Sequence, residues 1–502
     1  MSVQVKLRKG GNIKLKGVAS RVVQTIPQSE IYAIKPTDFH GVVPKLIAKE
    51  GATVKVGSPL FFDKENESII WTSPVSGQVV EIVRGARRKV LEIRIKSDGQ
   101  FNAEHFSALN PDEASREDLI NLLLKAGLWP MVKQRPFDVI ANPAETPKAI
   151  FVSAFDTAPL APDYDFVLEE RAEEFHRGIE VLAKLSKNGL VNLNVPVQKE
   201  VKFNTDDQFS YTDATGKIHT VDFKVANNAP ESNPAKQAIK AIENKYSTPS
   251  AVFMNADRVS LGKIDGPHPA GNVGVQIHHI NPINKGDVVW TVNAQDVAII
   301  GKLVSTGVLS FEKIIALAGS EVKTAQYYKV VTGSPVLPLI EGNLAEAEEE
   351  PRIISGNVLT GSKIEKDGFI GFYDNLVSVI PEGNKFDLFG WAVPVQPNKF
   401  SFSKTLMSWL TPNKEYRLNT NTNGEPRAFV VTGQYEKFLP MNVYPVQLLK
   451  ACLFEDIDQM EGLGIYEVAP EDLALCEFSC TSKTPVQRIL RDALDLVKKE
   501  CA

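Results

Sequence analysis

The stretch "EGATVKVGSPLFFDKENESIIWTSPVSGQVVEI", residues 50 to 82, decides how the N-terminal part of the chain folds. Its β-branched and aromatic runs, "TVKV", "PLFF", "SIIWT" and "GQVVEI", are short, and Gly51, Gly57, Pro59, Pro74 and Gly77 punctuate them. Runs of this composition between glycine and proline breaks predict strands joined by tight turns. "KVLEIRIK", just beyond, continues the pattern. The reading extends to an all-β unit over residues 1–102.

Taken together, "EGATVKVGSPLF" and "SPVSGQVVEI" resemble the outgoing and return strands of a barrel-sandwich domain of the biotinyl/lipoyl-like kind. Carriers with that fold attach their cofactor to a lysine at the tip of the hairpin joining the two halves. Counting back from Ser76 and Gly77 places the tip near Asn66, within "DKENES". There is no Met-Lys-Met tip, and the neighbours of Lys64 are acidic. The residues favour a bare scaffold over a swinging arm. A carrier would show added mass on Lys64.

Moving outward, 502 residues are too many for one core, and roughly three or four domains are expected. Hydrophobic residues make up 43% and charged residues 23%, the balance of a globular protein in water. The formal charge of -5 argues against wholesale nucleic-acid binding, which needs a basic surface to neutralise phosphate. Four cysteines do not make a secreted disulfide framework, so a reducing, cytoplasmic compartment is expected. The basic start "MSVQVKLRKGGNIKLKG" lacks the apolar core of a secretory signal. No apolar run approaches the ~18 residues of a membrane span. Two basic segments stand out: Lys6, Arg8, Lys9, Lys14, Lys16 and Arg21, then Arg84, Arg87, Arg88 and Lys89. They read as solvated faces, or as docking sites for an anionic leaflet or an acidic partner.

Beyond residue 102 the period changes. "SREDLINLLLKAGL" has Ser115 at an N-cap position, Asp118 three residues on and Gly127 just past its end. "AIFVSAF", residues 149–155, is of buried-strand type, and "DFVLEERAEEFHRGIEVLAKLSKNG" reads as one long amphipathic helix closed by Gly189. Helix, buried strand and helix predict an α/β layer domain over 103–312. A polar insertion near 195–255 carries a hairpin turning near Gly216, then a loop and a short helix. "AVFMN" resumes as a buried strand, and "DVVWTVNAQDVAIIGKLV" supplies a strand and a helix. A compact β unit spans 313–375, and strand-like pieces with proline and glycine turns continue through a β-rich segment, 376–444. The remainder, 445–502, is helical, with Pro445, Pro470 and Pro485 suited to first helical positions and Thr484 with Gln487 as a capping box.

Motifs that carry chemistry are sparse. There is no GxGxxG after a strand and no GxxxxGK[ST] loop. "DGPHPAGNVGV", residues 265–275, would let a backbone approach a ligand closely, and would equally serve as a rigid turn. His278 and His279 are adjacent, ten residues after His268. On a strand adjacent side chains face opposite ways, so one core and one surface histidine are expected rather than a metal pair. Cys452, Cys476, Cys480 and Cys501 lack CxxC spacing, and buried helix-face thiols are favoured over a cluster. No HExxH, GxSxG or other nucleophile constellation is present.

Several stretches, in order along the chain, carry a further resemblance. They are "KLRKGGNIKLKG", the barrel-sandwich residues, "RPFDVI", "AIFVSAFDTAPLAPD", "GPHPAGNVGVQIHHINPI", "VWTVNAQDVAIIGKL", "IALAG", "RIISGNVLTG", "FGWAVPVQPNKFS" and "EDLALCEFSC". On these the chain resembles the NqrA family, which supplies one subunit of the bacterial sodium-translocating NADH:quinone reductase. That family is related to the Rnf complex C subunit, and also to the complex I flavoprotein subunit. The resemblance implies a multidomain α/β plus β fold. Its parts are the barrel-sandwich domain, a Rossmann-like α/β domain, an SLBB-like β-grasp unit at 313–375 and the C-terminal helical segment. The relatives' glycine-rich loop for flavin and NADH is replaced here by "AGLWPMVKQRPFDVIANPAE", and their CxxCxxC run by spaced cysteines. Trp129, Pro130 and Met131 stand where phosphate would need bare backbone.

The implied function is that of a cytoplasm-facing, peripheral component of a complex at the bacterial inner membrane. It would contribute to quinone reduction and complex assembly, coupled in the complex to sodium export, with no autonomous active site. Flavin, iron-sulfur cluster and NADH site are expected on other subunits. Quinone is the expected ligand, and the main expected partner is a membrane-embedded subunit. The alternatives are a cofactor-free docking module and an Rnf-type electron carrier. A quinone slot needs flat apolar walls and donors for the carbonyls. Its candidates are Phe39, His40, Phe137, Phe155 and His268, with Phe151 and His278 behind them.

Overall fold

Residues 50–82 fold as their alternation predicts. Strands Thr53–Val54 and Gly77–Arg84 join Val90–Ser97 and Ile31–Ile34 in one four-stranded sheet. Pro59–Asp63 pairs with Ile70–Thr72 and Pro44–Leu46 in a facing three-stranded sheet. Between them lie Leu60, Phe61, Trp71, Val75, Val79, Ile93 and Ile95, all buried. Phe61 and Trp71 stack at 4.7 Å. Gly77 has φ +148°, and a Cβ there would overlap the Lys96 carbonyl, so only glycine lets strand Gly77–Arg84 start this close to Val90–Ser97. The turn at residues 64–69 is the hairpin tip expected near Asn66, with Lys64 exposed on it.

This computed structural model describes residues 3–197, 208–212, 218–222, 236, 251–346, 349–384, 399–403 and 406–501. The α/β domain is built on a seven-stranded sheet. Its order is Val3–Lys6, Val259–Asp265, Val191–Pro196, Ala149–Ser153, Val289–Val292, Val132–Arg135 and Val139–Ile140. The first five run parallel, and the last two are joined by antiparallel pairing. From Ala149–Ser153 the chain moves outward to Val191–Pro196 and Val259–Asp265, then returns to the other side of Ala149–Ser153 as Val289–Val292. Crossovers in opposite directions put their helices on opposite faces, because each is right-handed. The helices Ala172–Leu185 and Ala294–Thr306 pack closely through Gly178 and Gly301, where a Cβ on either would overlap the other helix's backbone.

The β-grasp unit is a six-stranded sheet ordered Ser20–Thr25, Gln326–Val331, Glu312–Ala318, Leu376–Pro381, Pro351–Ser355 and Ser362–Ile364. It has its own small core of Ile315, Leu317, Leu339, Val377 and Val379. The C-terminal helix Val486–Cys501 buries Val486, Leu490, Ala493, Leu494 and Val497, one face at helical spacing.

Several local expectations are revised. The residues before the barrel-sandwich strands do not stay in that unit: Val3–Lys6 and Ser20–Thr25 are edge strands of the other two large sheets. Their alternating, half-polar sequence suits an edge wherever one is open. "AVFMN" is a helical turn, Ala251–Met254, with Phe253 packed on Phe175 at 5.3 Å; so short an apolar run carries no period to separate strand from helix. The long helix is broken into Tyr164–Leu168, a 3₁₀ turn and Ala172–Leu185, and ends at Ser186 rather than Gly189. His278 and His279 lie on a helix, Val273–Ile280, not a strand.

Within 376–444 the only named strand among the described residues is Leu376–Pro381. Among the described residues beyond it, aromatics pack as an irregular cover, with Phe402 against Phe400 and Phe438, both at 4.8 Å. Gln487 does not form the expected box with Thr484. It gives its backbone N–H to Glu477 and its side-chain amide to the Leu359 carbonyl, partners remote in sequence. Other expectations hold. Ser115 and Asp118 form a capping box, and Gly127 closes that helix in the left-handed conformation. Pro445 and Pro470 open their helical turns. The polar hairpin pairs Gln208–Thr212 with Ile218–Asp222. Its turn and, apart from helical Lys236, the loop and short helix expected after it lie outside the described residues.

Candidate functional site

The strand order creates a crevice. Where the chain departs to one side of Ala149–Ser153 and returns on the other, the two connections diverge and leave a gap at the strands' C-terminal ends. A cleft of about 240 Å³ opens there. Its floor is Ser153, Phe155 and Asp156 from one strand end, and Thr291, Val292 and Asn293 from the next. Lys133, Arg135 and Asp138 form one side, and His268, Gly271 and Asn272 another. Tyr373, Asn357 and Leu359 of the β-grasp unit and Glu471 of the C-terminal segment close it.

Polar bonds hold the 266–272 loop on the strand ends. Ser153 Oγ donates toward the carbonyls of Phe155 and Gly271. Fully buried Gln276 donates to Ser153 Oγ at 2.8 Å and accepts from Asn194 Nδ2 at 2.9 Å. Gly271 fits because a Cβ there would stand 2.6 Å from the Thr157 nitrogen. The Gly271 N–H donates to Thr157 Oγ1 at 2.9 Å, and that oxygen is 3.2 Å from His268 Nδ1. A hydroxyl that already accepts the amide is free to give its own proton to Nδ1. In that arrangement the imidazole hydrogen sits on Nε2, and Nε2 is buried with no hydrogen-bond partner among the described residues. Burial pushes the His268 pKa down to about 4, so the ring is neutral at pH 7.

Tyr164 offers a second free donor. Its phenol oxygen accepts from Asn293 Nδ2 at 3.0 Å and Asn375 Nδ2 at 3.2 Å, which leaves the O–H proton unassigned. Burial holds its pKa well above the usual phenol range, so the proton is retained.

The cleft's charges are mostly compensated. Arg135, 4% exposed, reaches Glu471 at 2.6 Å, Asp472 at 3.5 Å and Asp138 at 3.6 Å. Burial opposes its charge, but the three carboxylates hold it protonated. Lys133 lies 3.3 Å from Asp138 and 4.6 Å from the centre of the Tyr373 ring. Burial tends to raise the Asp138 pKa, and Lys133 and Arg135 more than reverse that, keeping it ionised. Asp296 pairs with Lys313 at 2.9 Å, both buried. Asp156 has its pKa raised by burial, against hydrogen bonds from the Ala158 and Thr157 amides.

Of the residues expected from sequence, the cleft gathers Phe155 and His268. Phe39 is buried behind the wall, against Trp71 at 5.0 Å, Phe372 at 4.9 Å and Tyr373 at 5.7 Å. Phe137 sits between wall residues in sequence, but packs on Tyr466 at 6.1 Å. Phe151 is a core residue of its strand. His40 is not brought to the cleft; it is half exposed and pairs with Asp495 at 2.7 Å. His278 is tied to Glu467 at 2.6 Å and to the Asn442 amide at 2.9 Å. Sequence reading missed Arg135, Asp138, Asp156, Tyr164 and Tyr373. "RPFDVI" and "FDTAPLAPD" were visible as stretches, but nothing local signals that their charges converge.

The stretches that replace the wider relatives' glycine-rich loop and cluster run are packed as follows. Where a phosphate loop would lie, Trp129 is fully buried, its indole N–H donates to Ala141 at 2.7 Å, and it meets Trp290 edge-on at 5.4 Å. Cys452, Cys476 and Cys480 are buried and Cys501 is exposed. Cys480 accepts from the Tyr435 hydroxyl at 2.9 Å. Among the described residues no three His, Cys, Asp or Glu side chains are grouped to hold a metal ion.

Comparison with known proteins covers nearly the whole chain. The family model described as the NqrA N-terminal barrel-sandwich hybrid domain matches residues 5–98. The NqrA second alpha/beta domain matches 114–221 and 235–309, and the NQRA C-terminal domain matches 314–366. The chain is 34% identical over 500 residues to the NqrA subunit of the Na(+)-translocating NADH-quinone reductase of Neisseria meningitidis serogroup A, covering 99% of this chain and 100% of the relative. To the corresponding subunit of Marinomonas sp. it is 33% identical over 498 residues, covering 99% of each. Among solved structures, an NAD+-reducing [NiFe]-hydrogenase in the air-oxidized state is matched at a TM-score of 0.33 and 11% identity, over 79% of this chain and 67% of that one.

Proposed function

The chain belongs to the NqrA family of the Na(+)-translocating NADH-quinone reductase, and from that premise we propose that its cleft receives the quinone headgroup. It is a subunit of that translocase, an enzyme complex of sodium transport and electron transfer from NADH to quinone, and the other subunits are its partners. In our reading it sits peripherally on the cytoplasmic face, docks on a membrane-embedded subunit, supports assembly, and leaves flavin and iron-sulfur chemistry to its partners.

One observation carries the quinone reading: His268, whose Nε2 has no hydrogen-bond partner among the described residues, and Tyr164, whose hydroxyl proton is unassigned, line one cleft with Phe155. A quinone is a flat ring with two acceptor carbonyls and no donor, and buried donors left unpaired are costly. Neutral His268 suits a neutral ligand. As charge develops on a reduced carbonyl oxygen, the same two donors would stabilise it more than the ground state. Replacing His268 by Leu and Tyr164 by Phe tests this. The expected result is a KM for quinone raised roughly tenfold per lost donor in the assembled complex, about the worth of one hydrogen bond. Quinone titration of the isolated chain should weaken in parallel. Unchanged quinone affinity in both variants would leave a docking module without a ligand.

A further inference from the structure

The barrel-sandwich domain carries a second feature, remote from the cleft. The strands Gly77–Arg84 and Val90–Ser97 are joined by a tip that presents Arg84, Arg87, Arg88 and Lys89, all exposed. Among the described residues none of the four is paired with a carboxylate. The tip is held in shape: Gly85 N–H donates to the Lys89 carbonyl at 2.8 Å, and Lys89 N–H to the Ala86 carbonyl at 3.2 Å. Arg87 and Arg88 both take left-handed backbone, φ 53° and 60°, an unfavourable choice for long side chains that turns both outward. Nearby acids are occupied. Glu50 accepts the Ile82 N–H at 2.9 Å, and Glu81 pairs with Arg94 at 2.9 Å.

Beside this tip runs a shallow groove of about 530 Å³, floored by Val42, Val43, Pro44, Leu46 and Val90 and rimmed by Arg84, Arg88 and Lys89. Val43 is 46% exposed, and Ile47, just past the other end of strand Pro44–Leu46, is 43% exposed. Cations fixed beside exposed aliphatic side chains match a surface that offers negative charge over hydrocarbon. An anionic bilayer offers both at once, with headgroup phosphates for the cations and hydrocarbon just beneath for the valines. Among the described residues no helix is long and apolar enough to cross a membrane. A contact made from the side of a bilayer needs a face that combines charge with apolar surface, as this one does.

We propose that this hairpin tip and its groove dock on an anionic phospholipid surface. Headgroup phosphates would pair with the four cations, and Val43 and Ile47 would enter the boundary between headgroups and acyl chains. The net charge of -5 makes the contact orienting, since the rest of the chain is repelled by the same surface.

The test is co-sedimentation of the full chain with vesicles of phosphatidylcholine alone and of phosphatidylcholine mixed with phosphatidylglycerol, across a salt series. Arg87→Asn with Arg88→Asn removes two charges, and asparagine accepts left-handed backbone, so the turn is kept. Val43→Ser removes the apolar part from an exposed site. Binding to the anionic vesicles alone is expected, lost as salt rises. The double variant should bind on the order of 30-fold more weakly, two cations at roughly fivefold each. Val43→Ser should weaken binding at every salt concentration. Equal binding to both vesicle types, or no binding, overturns the proposal. So does anionic binding untouched by either variant, which would move the contact to the basic N-terminal segment. Loss of partner subunits from the double variant with no vesicle binding by the native chain would assign the tip to an acidic protein instead.

Discussion

Arg135 is the residue whose removal reads most directly on the architecture. It is 4% exposed and joins the α/β sheet to the C-terminal segment through Glu471 at 2.6 Å and Asp472 at 3.5 Å, with Asp138 at 3.6 Å. Arg135→Met keeps much of the volume and leaves the carboxylates behind. Asp472 is the one that matters, since it is fully buried while Glu471 is 41% exposed and can turn to water. Breaking a buried pair on one side costs about 3–5 kcal/mol, a fall in melting temperature on the order of 10 °C for a unit of this size.

The loss should depend on pH. Burial already raises the Asp472 pKa against the pull of Arg135, and without the arginine it rises further. A carboxyl with a folded pKa above its unfolded value of about 3.9 binds more protons when folded, so its effect on stability worsens as pH rises through that window. The variant should therefore recover part of its deficit on acidification, as Asp472 takes a proton and the buried charge disappears. Thermal melts of native chain and variant over a pH series measure this, with Arg135→Lys as the control that keeps charge and loses the fork. A deficit below about 1 kcal/mol, or one that does not change with pH, would refute the reasoning.

Gly271→Ala puts a methyl 2.6 Å from the Thr157 nitrogen, so the loop must lift and carry His268 away from Thr157. Stability should fall by about 1–3 kcal/mol and quinone KM should rise, in melts and steady-state kinetics on the assembled complex; an unchanged KM would detach the loop from the site. Cysteine exposure gives a test of the fold itself. Mild alkylation of the native chain should add one label, at Cys501, and alkylation after denaturation should add four, read by intact mass.

Much of this protein is written locally. The spacing of Gly51, Gly57 and Gly77 among β-branched runs calls for hairpins, because turns that need positive φ have few other residues to choose from. The cap at Ser115 and Asp118 and the stop at Gly127 bound their helix from within. The buried run at 149–155 announces a central strand, since only a strand covered on both faces is apolar throughout. Where the period was too short to read, at 251–254, or the chain served only as cover, as around Phe400 and Phe402, local signal failed.

The cleft belongs to the tertiary structure. His268, Tyr164, Arg135, Tyr373 and Glu471 come from distant segments, and of these only His268, in its glycine-rich stretch, is marked by its neighbours in sequence. They meet because the sheet reverses direction beside Ala149–Ser153 and because the C-terminal segment returns to cover the gap. The chain's own start is shared between two other sheets for a similar reason: an edge strand takes whichever open edge is near. Periodicity reports which face of an element is buried, and the sequence determines that much unaided. Which elements become neighbours is set by strand order and packing, and so only the folded chain decides where its donors and charges converge.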